Sequence, residues 1–130
     1  MLVVDASVGA AAALLEDGFG RFDDDELVAP ALMWPEARST LRRIAWRNET
    51  TWQEAEAAHV RLEQSPVRLG RHRRLGAEAW SIADELGWVR SYDAEYLALG
   101  RLLNCRVVTA DERLRRGADR LGFVVTVREL

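Results

Sequence analysis

The sequence predicts an α/β domain with a central, mostly parallel β-sheet. Short apolar runs alternate with helical patterns along the 130 residues, which is typical of strand–helix–strand units. Helical hairpins fill the middle of the chain, and the strands come from both ends of it. The length suits one domain, residues 1–130, that buries roughly two-thirds of the surface exposed by its unfolded form. A hydrophobic core is therefore expected without disulfide bonds.

The first quarter of the chain predicts a strand, a helix and a second strand. An apolar run over residues 2–5 ends in Asp5, and Ser7 is placed to cap a helix that continues to about Leu15. A short strand follows at Leu27–Ala29 and ends before Pro30. A helix between two short strands is the connection that parallel pairing requires.

Two helices are predicted next. The first covers about residues 32–47, tolerates Pro35 in its first turn, and carries Glu36 on a stripe beside its buried face. The second begins after Thr51, with Glu54 completing a capping-box pattern, and continues to about residue 64. The buried face of the first helix consists of apolar residues at three- and four-residue spacing, namely Met33, Ala37, Leu41 and Ile44.

The second half of the chain continues the alternation of helices and strands. Asp93 falls in the first turn of a helix whose core face extends to Leu103. The other predicted elements are an edge strand at residues 67–69, an amphipathic helix at residues 74–86 stopped by Gly87, a buried strand at residues 106–109, a short helix over about residues 111–116, and a final strand at residues 123–126.

Composition limits the chemistry that the chain can perform. The net charge of −3 argues against bulk attraction to nucleic acid, and all 18 basic residues are arginine. Without lysine the chain has neither a P-loop nor a Schiff-base nucleophile. Phosphate-transfer domains of the receiver or haloacid-hydrolase type are disfavoured for the same reason, because they normally contact the phosphoryl group with a lysine. Arginine, in contrast, suits bidentate contacts to phosphate.

The location is expected to be cytoplasmic. Cys105 is the only cysteine and precedes a predicted buried strand, where it fits a small buried side chain in a reducing compartment. The sequence shows no signal-peptide pattern and no apolar run that could span a membrane.

Four carboxylates stand at positions that a parallel sheet can bring together. Asp5 and Asp111 follow apolar strands, and Asp93 and Glu36 lie near the starts of helices. Ligands of open α/β sheets bind outside the carboxyl ends of the strands. Two like charges roughly 4 Å apart repel by about 4 kcal/mol at an effective dielectric of ~20, so a convergent set requires a cation. Oxygen ligands favour Mg²⁺ or Mn²⁺, which can activate water and stabilise charge on a scissile phosphate.

Most of these carboxylates also have an ordinary structural explanation. Asp111 fits a helix N-cap, Asp93 fits a first-turn residue favoured by the helix dipole, and Glu36 fits an exposed helical position. Asp5 differs, because a carboxylate directly after a buried strand is costly without a partner. Residue types alone leave these alternatives open.

The residues around the carboxylates carry a family resemblance. The segments that carry it are VVDASV at residues 3–8, PE at 35–36, YDAEYLAL at 92–99 and VTADERL at 108–114. In order and spacing they resemble the four motif blocks of PIN-domain proteins, and among these the VapC-type toxins of bacterial toxin–antitoxin pairs. The resemblance covers residues 2 to about 123. Its third and fourth segments are specific to this family, whereas the Pro-Glu pair alone is not.

The resemblance implies a three-layer α/β/α fold and an endoribonuclease that depends on Mg²⁺ or Mn²⁺. Its acidic metal ligands and catalytic residues match Asp5, Glu36, Asp93 and Asp111. Ser7 and Thr109 match the small hydroxyl residues that commonly flank the site, although capping or turn formation explains each equally well. The chain departs from some members at Arg113, where they carry a further acid. A cognate antitoxin and a homodimer are also implied.

RNA binding requires cations around an acidic pocket, because the carboxylates themselves repel phosphate. The arginines expected to contact RNA are Arg71, Arg73, Arg74, Arg113 and Arg116. The five tryptophans fit core or interface positions, with base stacking as the alternative. A different class of function also stays open, in which a PIN-like module binds a partner without turnover and its acidic pocket seats a partner's arginine.

Overall fold

The structure is a computed structural model that describes residues 1–130, and it contains one five-stranded sheet with six α-helices. The strands are β1 (Leu2–Val4), β2 (Leu27–Ala29), β3 (Arg68–Leu69), β4 (Arg106–Thr109) and β5 (Val124–Thr126). The helices are α1 (Ala6–Ala13), α2 (Met33–Trp46), α3 (Trp52–Glu63), α4 (Leu75–Leu86), α5 (Tyr92–Leu103) and α6 (Glu112–Gly117). Short 3-10 turns lie at Gly18–Phe22, Asp119–Leu121 and Val127–Glu129.

The sheet has the strand order β3-β2-β1-β4-β5, and every neighbouring pair is parallel. Crossovers between parallel strands are right-handed. Helices in crossovers that move toward one edge of the sheet therefore lie on one face, and helices in crossovers that move toward the other edge lie on the opposite face. The chain moves outward from β1 to β3 through α1, α2 and α3, and then crosses back through α4 and α5 to β4. This order gives three layers, and the predicted α/β/α fold with a parallel central sheet is confirmed.

The local signals placed most elements within a residue or two of their observed bounds. Gly87 ends α4 in the left-handed conformation with φ 69°, and Thr51 caps α3 by accepting the Glu54 N–H at 3.0 Å. The prediction that Ser7 caps α1 is wrong. Strand β1 ends at Val4, and Asp5 takes the cap position and accepts the Val8 N–H. The run of small residues after Asp5 lets the helix begin directly at the end of the strand.

The core lies on both faces of the central strands. Strand β1 is wholly buried, and α2 buries Met33, Ala37, Leu41 and Ala45 in the layer that it forms with α1 and α3, with Ile44 only partly covered. None of the tryptophans is fully buried: Trp34 and Trp88 pack partly against the core, whereas Trp46 and Trp80 are 78% and 72% exposed. No helix has both the length and the apolar composition that crossing a membrane requires.

Close packing of α5 on β4 yields a stability prediction. A Cβ atom at Gly100 would lie 2.6 Å from Cγ2 of Val107 and 3.1 Å from the carbonyl oxygen of Cys105. Gly100→Ala is therefore expected to lower the free energy of unfolding by about 1–3 kcal/mol, measured by thermal or urea denaturation. Gly76→Ala in α4 is the matched control, because nothing lies within 4 Å of its Cβ position. It should raise stability by about 0.5–1 kcal/mol. Equal effects of the two substitutions would contradict the packing.

Candidate active site

Strands β1 and β4 are neighbours in the sheet, and their carboxyl ends lie side by side at the topological switch point of the sheet. From β1 the chain adds β2 and β3 on one side, whereas β4 and β5 lie on the other. The crevice beyond such a switch point is where open α/β sheets bind ligands. Asp5 follows β1 directly, and its N–H donates to the carbonyl of Val108 at 3.3 Å. Asp111 lies just beyond the end of β4, so the two carboxylates flank the crevice.

Asp5 is buried, and its carboxylate accepts three hydrogen bonds. Oδ1 accepts from the Ser7 hydroxyl at 2.6 Å and from the Val8 N–H at 3.0 Å, and Oδ2 accepts from the Thr109 hydroxyl at 2.5 Å. Because Asp5 only accepts, this arrangement suits its ionised form. Burial raises the pKa of Asp5 above its ordinary value, the three hydrogen bonds oppose the rise, and the charge of Asp93 adds to it.

Ser7 and Thr109 join the two turns that surround Asp5. Each hydroxyl donates its one proton to Asp5 and accepts a backbone N–H, Ser7 from Ala110 at 2.9 Å and Thr109 from Asp111 at 3.0 Å. Their own oxygen–oxygen separation of 3.4 Å is therefore a contact between two groups whose protons are already used. The sequence prediction associated both residues with the site, and the structure places both against Asp5.

Asp93 and Asp111 interact electrostatically from the starts of α5 and α6. Partial desolvation raises the pKa of Asp93, the Asp111 charge raises it further, and Arg113 lowers it. Asp111 caps α6 through Oδ1 alone, which accepts the N–H groups of Arg113 at 2.9 Å and Leu114 at 3.4 Å. The capping explanation of Asp111 is thus correct, but Oδ2 accepts no hydrogen bond and is free to bind a cation. Arg113 places its Nε 4.0 Å from Asp111 Oδ1.

Glu36 accepts a hydrogen bond from a residue that the sequence analysis did not assign to the site. The hydroxyl of Tyr96 donates to Glu36 Oε1 at 2.5 Å, although the two residues are 60 positions apart. Burial raises the pKa of Tyr96, and the contact with the Glu36 carboxylate raises it further. Tyr96 therefore remains a donor to Glu36. The available signal was its position three residues after Asp93, which places both on the same face of α5.

All four carboxylates line one cavity of about 690 Å³. The structure thus brings together the acidic residues that the sequence singled out. Ser7 lies in the same cavity, together with residues that the sequence analysis did not assign to a site. These are Ser39, Thr40, Arg43, Tyr92 and Tyr96. A second cavity of about 520 Å³ shares Glu36, Asp93 and Asp111 and adds Arg90 and Arg113.

The predicted RNA-binding arginines separate into three groups. Arg113 lines the second cavity, next to the acidic set. Arg71 and Arg73 line a different cavity beyond the end of β3, which contains none of the four carboxylates. Because β3 is parallel to the central strands, this cavity lies at the same edge of the sheet as the carboxylates, with two strand spacings, roughly 10 Å, between β3 and β1. Arg74 and Arg116 line neither acidic cavity.

Two arginines outside the predicted set line the acidic cavities. Arg43 lines the first and Arg90 the second.

The donor set fits a hard divalent cation. Every candidate ligand is a carboxylate oxygen, and Mg²⁺ and Mn²⁺ prefer oxygen. No three His, Cys, Asp or Glu side chains stand close enough together to hold an ion directly. Mg²⁺ does not require such a cluster, because it usually keeps several waters and binds one or two carboxylates. Asp5 Oδ2 accepts a single hydrogen bond and Asp111 Oδ2 none, which leaves room for an ion or its waters.

The Tyr96–Glu36 hydrogen bond leads to a prediction about metal affinity. Tyr96→Phe is expected to weaken Mn²⁺ binding by about 10- to 100-fold, because a partner that orients a ligand is lost while the ring still packs. Isothermal titration with Mn²⁺ measures the change. Tyr92→Phe is the control, since Tyr92 lines the same cavity and its hydroxyl makes no hydrogen bond within the chain. Unchanged Mn²⁺ affinity in Tyr96→Phe would show that Glu36 needs no such support.

Comparison with known proteins agrees with the geometry. A family model described as PIN domain matches residues 2–120. VapC ribonuclease Mb0985 of Mycobacterium bovis and Ribonuclease VapC9 of Mycobacterium tuberculosis are each 39% identical to the chain over 121 residues, covering 88% of this chain and 88% of the relative. The crystal structure of PAE2754 from Pyrobaculum aerophilum has a TM-score of 0.76 at 22% identity, covering 98% of this chain and 91% of that one, and is similar in fold.

Proposed function

We propose a function on the premise that the chain belongs to the PIN-domain family, and within it to the VapC ribonucleases. The protein is a metal-dependent endoribonuclease that hydrolyses RNA phosphodiester bonds. The observation that carries this proposal is the convergence of Asp5, Glu36, Asp93 and Asp111 on one cavity at the switch point of the sheet. The raised pKa values of Asp5 and Asp93 support it, because burial and, to a smaller extent, neighbouring carboxylates disfavour their charged forms, and a bound cation would offset both effects.

The mechanism assigns a role to each part of the cavity. Asp5, Glu36, Asp93 and Asp111 would hold Mg²⁺ or Mn²⁺, which when bound supplies an activated water and neutralises charge on the scissile phosphate. Ser7 and Thr109 donate to Asp5, which favours its ionised form and fixes its orientation. Tyr96 orients Glu36.

The phosphate must also be held against the repulsion of the carboxylates. Arg43 lines the first cavity and Arg113 the second, so guanidinium groups lie on both sides of the acidic set. Arginine offers paired donors in the geometry that phosphate oxygens accept. Neither histidine lines the two cavities, so water activation does not depend on an imidazole.

The biological setting that we propose is a bacterial toxin–antitoxin pair. A cognate antitoxin would neutralise the enzyme by covering the acidic cavity, since a basic side chain can replace the charge of the metal. We further propose a homodimer, by analogy with the family, and a cytoplasmic location, where its RNA substrates are found.

A second candidate function is a partner-binding module without turnover. The position of Arg113 favours it, because its Nε lies 4.0 Å from Asp111 Oδ1 at the rim of the acidic site. Titration with Mn²⁺ separates the two functions. A nuclease site should bind the ion and lose affinity in Glu36→Gln, whereas a seat for a partner's arginine should show neither effect.

Cleavage of RNA by purified protein tests the leading proposal. Wild type with Mn²⁺ should cleave a single-stranded RNA, and Asp93→Asn should lose the activity while keeping its circular dichroism spectrum and melting temperature. Equal cleavage by the two proteins would point to a contaminating nuclease and would sink the proposal. Mapping of RNA 5′ ends after induction of each form in cells then identifies the substrate and the cleaved bond.

A further inference from the structure

The acidic set lies where two cavities meet. The first has a volume of about 690 Å³ and the second about 520 Å³, and both are within the usual size of ligand sites. They share Glu36, Tyr92, Asp93, Asp111 and Leu114. A ligand that occupies both cavities must therefore cross the carboxylates, and its cross-over point is the position at which a bond would be broken.

One wall of the unshared part of the first cavity is polar. It is formed by successive turns of α2, which contribute Ser39, Thr40 and Arg43. Hydroxyl and guanidinium donors suit phosphate and ribose oxygens, which are the same for every nucleotide. This wall can therefore bind a nucleic-acid backbone whatever its bases are.

The unshared part of the second cavity includes exposed apolar surface beside arginines. The turn between α4 and α5 contributes Trp88, Val89 and Arg90, and Tyr92 follows this turn and lines both cavities. We call these four residues the aromatic arm. Arg113 contributes a further guanidinium from α6. Aromatic rings beside arginines are the combination with which proteins bind unpaired bases and the phosphates that connect them.

The first residue of the aromatic arm is fixed by the end of α4, whereas most of its apolar surface is open to solvent. Gly87 closes α4 in the left-handed conformation, and the Trp88 N–H donates to the carbonyl of Ala83 at 2.8 Å. The Trp88 side chain packs partly against the core, whereas Val89 is fully exposed and Tyr92 is 57% exposed. A rigid, exposed apolar surface lowers the entropic cost of ordering a flat ligand on it.

We propose that the aromatic arm is a base-binding subsite that receives an unpaired nucleotide of single-stranded RNA next to the scissile bond. The inference rests on the proposed ribonuclease function and specifies which residues would bind a base of its substrate. Charge complementarity supports RNA as the occupant, because Arg90 and Arg113 flank the apolar surface and Arg43 lies beyond the carboxylates. A duplex would not fit this role, since its bases are stacked on one another and their faces are unavailable.

Binding of a short fluorescein-labelled single-stranded RNA tests the subsite. All proteins carry Asp93→Asn so that the RNA stays intact, and fluorescence anisotropy is measured over a range of salt concentrations. Tyr92→Ala should weaken binding by about 5- to 100-fold without changing the salt dependence, because stacking is lost and no phosphate contact is removed. Arg90→Ala should weaken binding and reduce the slope of log K against log salt by about 0.7, the value for one phosphate contact on a single strand.

Matched controls lie outside the proposed subsite. Trp80→Ala removes another exposed aromatic ring, from α4, and Arg106→Ala removes an exposed arginine at the opposite end of β4. Both should bind RNA like the parent. Val89→Trp adds a ring at a fully exposed position, which cannot disturb the core, and should tighten binding several-fold. An RNA duplex of the same length should bind more weakly than the single strand.

The outcomes separate this inference from the proposed function. If wild type cleaves RNA but Tyr92→Ala and Val89→Trp bind RNA as the parent does, the subsite is wrong and the ribonuclease function stands. Equal affinity for the duplex would likewise overturn the subsite. If wild type cleaves no RNA and the parent binds none, the proposed function fails and the subsite fails with it.

Discussion

Asp5→Asn is expected to reduce RNA cleavage at least about 100-fold while making the metal-free protein more stable. Asparagine caps helices as well as aspartate does, so the bond from the Val8 N–H is retained. The amide oxygen can also accept from Ser7, and the amide nitrogen can donate to Thr109. The bond that Thr109 donates to the carboxylate is replaced by one that Thr109 accepts, and the buried negative charge, which Asp93 repels, is lost. The free energy of unfolding should rise by on the order of 1 kcal/mol.

The stability gain should depend on pH in a direction fixed by the raised pKa of Asp5. A carboxyl whose pKa is higher in the folded state retains protons that the unfolded chain has released, so stability falls as pH rises through that interval. Wild type should therefore lose stability relative to Asp5→Asn as pH rises from the ordinary value of 3.8 through the folded pKa. Below that interval the difference should be smallest.

Thermal denaturation in the presence of a chelator, at pH values between 3 and 8, measures this difference. Asp84→Asn is the control, because Asp84 is an exposed carboxylate on α4 outside both acidic cavities. Its stability relative to wild type should not show the same dependence on pH. An Asp5→Asn protein that was less stable than wild type at every pH would mean that the charge of Asp5 stabilises the fold.

Removal of divalent cations is expected to abolish cleavage, and their return should raise the melting temperature. An ion that binds only the folded state at 100 times its Kd adds about 2.7 kcal/mol to the free energy of unfolding. For a chain of this size the corresponding rise in melting temperature is roughly 10 °C. The ion stabilises the folded state because it offsets the burial of the Asp5 and Asp93 charges and their repulsion by neighbouring carboxylates, which together raise the pKa values of both residues.

Two aspartates near the two ends of α6 provide a test variant and a matched control for this metal effect. Asp111→Asn should lose most of the rise in melting temperature, because Asp111 lines both acidic cavities. Asp119→Asn should keep it, because Asp119 lines neither cavity and pairs with Arg115 at 2.6 Å. Equal loss in both variants would place the ion elsewhere than in the acidic cavity.

The fold was predictable because its elements are encoded locally. Apolar runs of three or four residues mark β1, β2 and β4, and Gly87 and Thr51 mark helix ends through their own backbone preferences. The error at the start of α1 has a local cause as well. Both Asp5 and Ser7 can cap a helix, and the choice between them depends on where β1 stops pairing with its neighbours.

The site was predictable in part, for a different reason. Residues at the carboxyl ends of parallel strands share one edge of the sheet, so Asp5 and Asp111 were expected to converge as soon as the strands were identified. Arg43 carried a weak signal, because it shares α2 with Glu36 and lies seven residues after it, on the same face. Arg90 carried none, and only the path of the turn before α5 brings it to the second acidic cavity.

The sequence by itself determined the order of strands and helices, the identity of the four carboxylates and the absence of lysine chemistry, because each depends on residue type and short spacing. Tertiary structure decided which groups hold those carboxylates. Thr109 reaches Asp5 across 104 positions and Tyr96 reaches Glu36 across 60, and such contacts exist only once β1, β4, α2 and α5 are packed. Hydrogen bonds between distant side chains require distances and angles that residue spacing cannot specify.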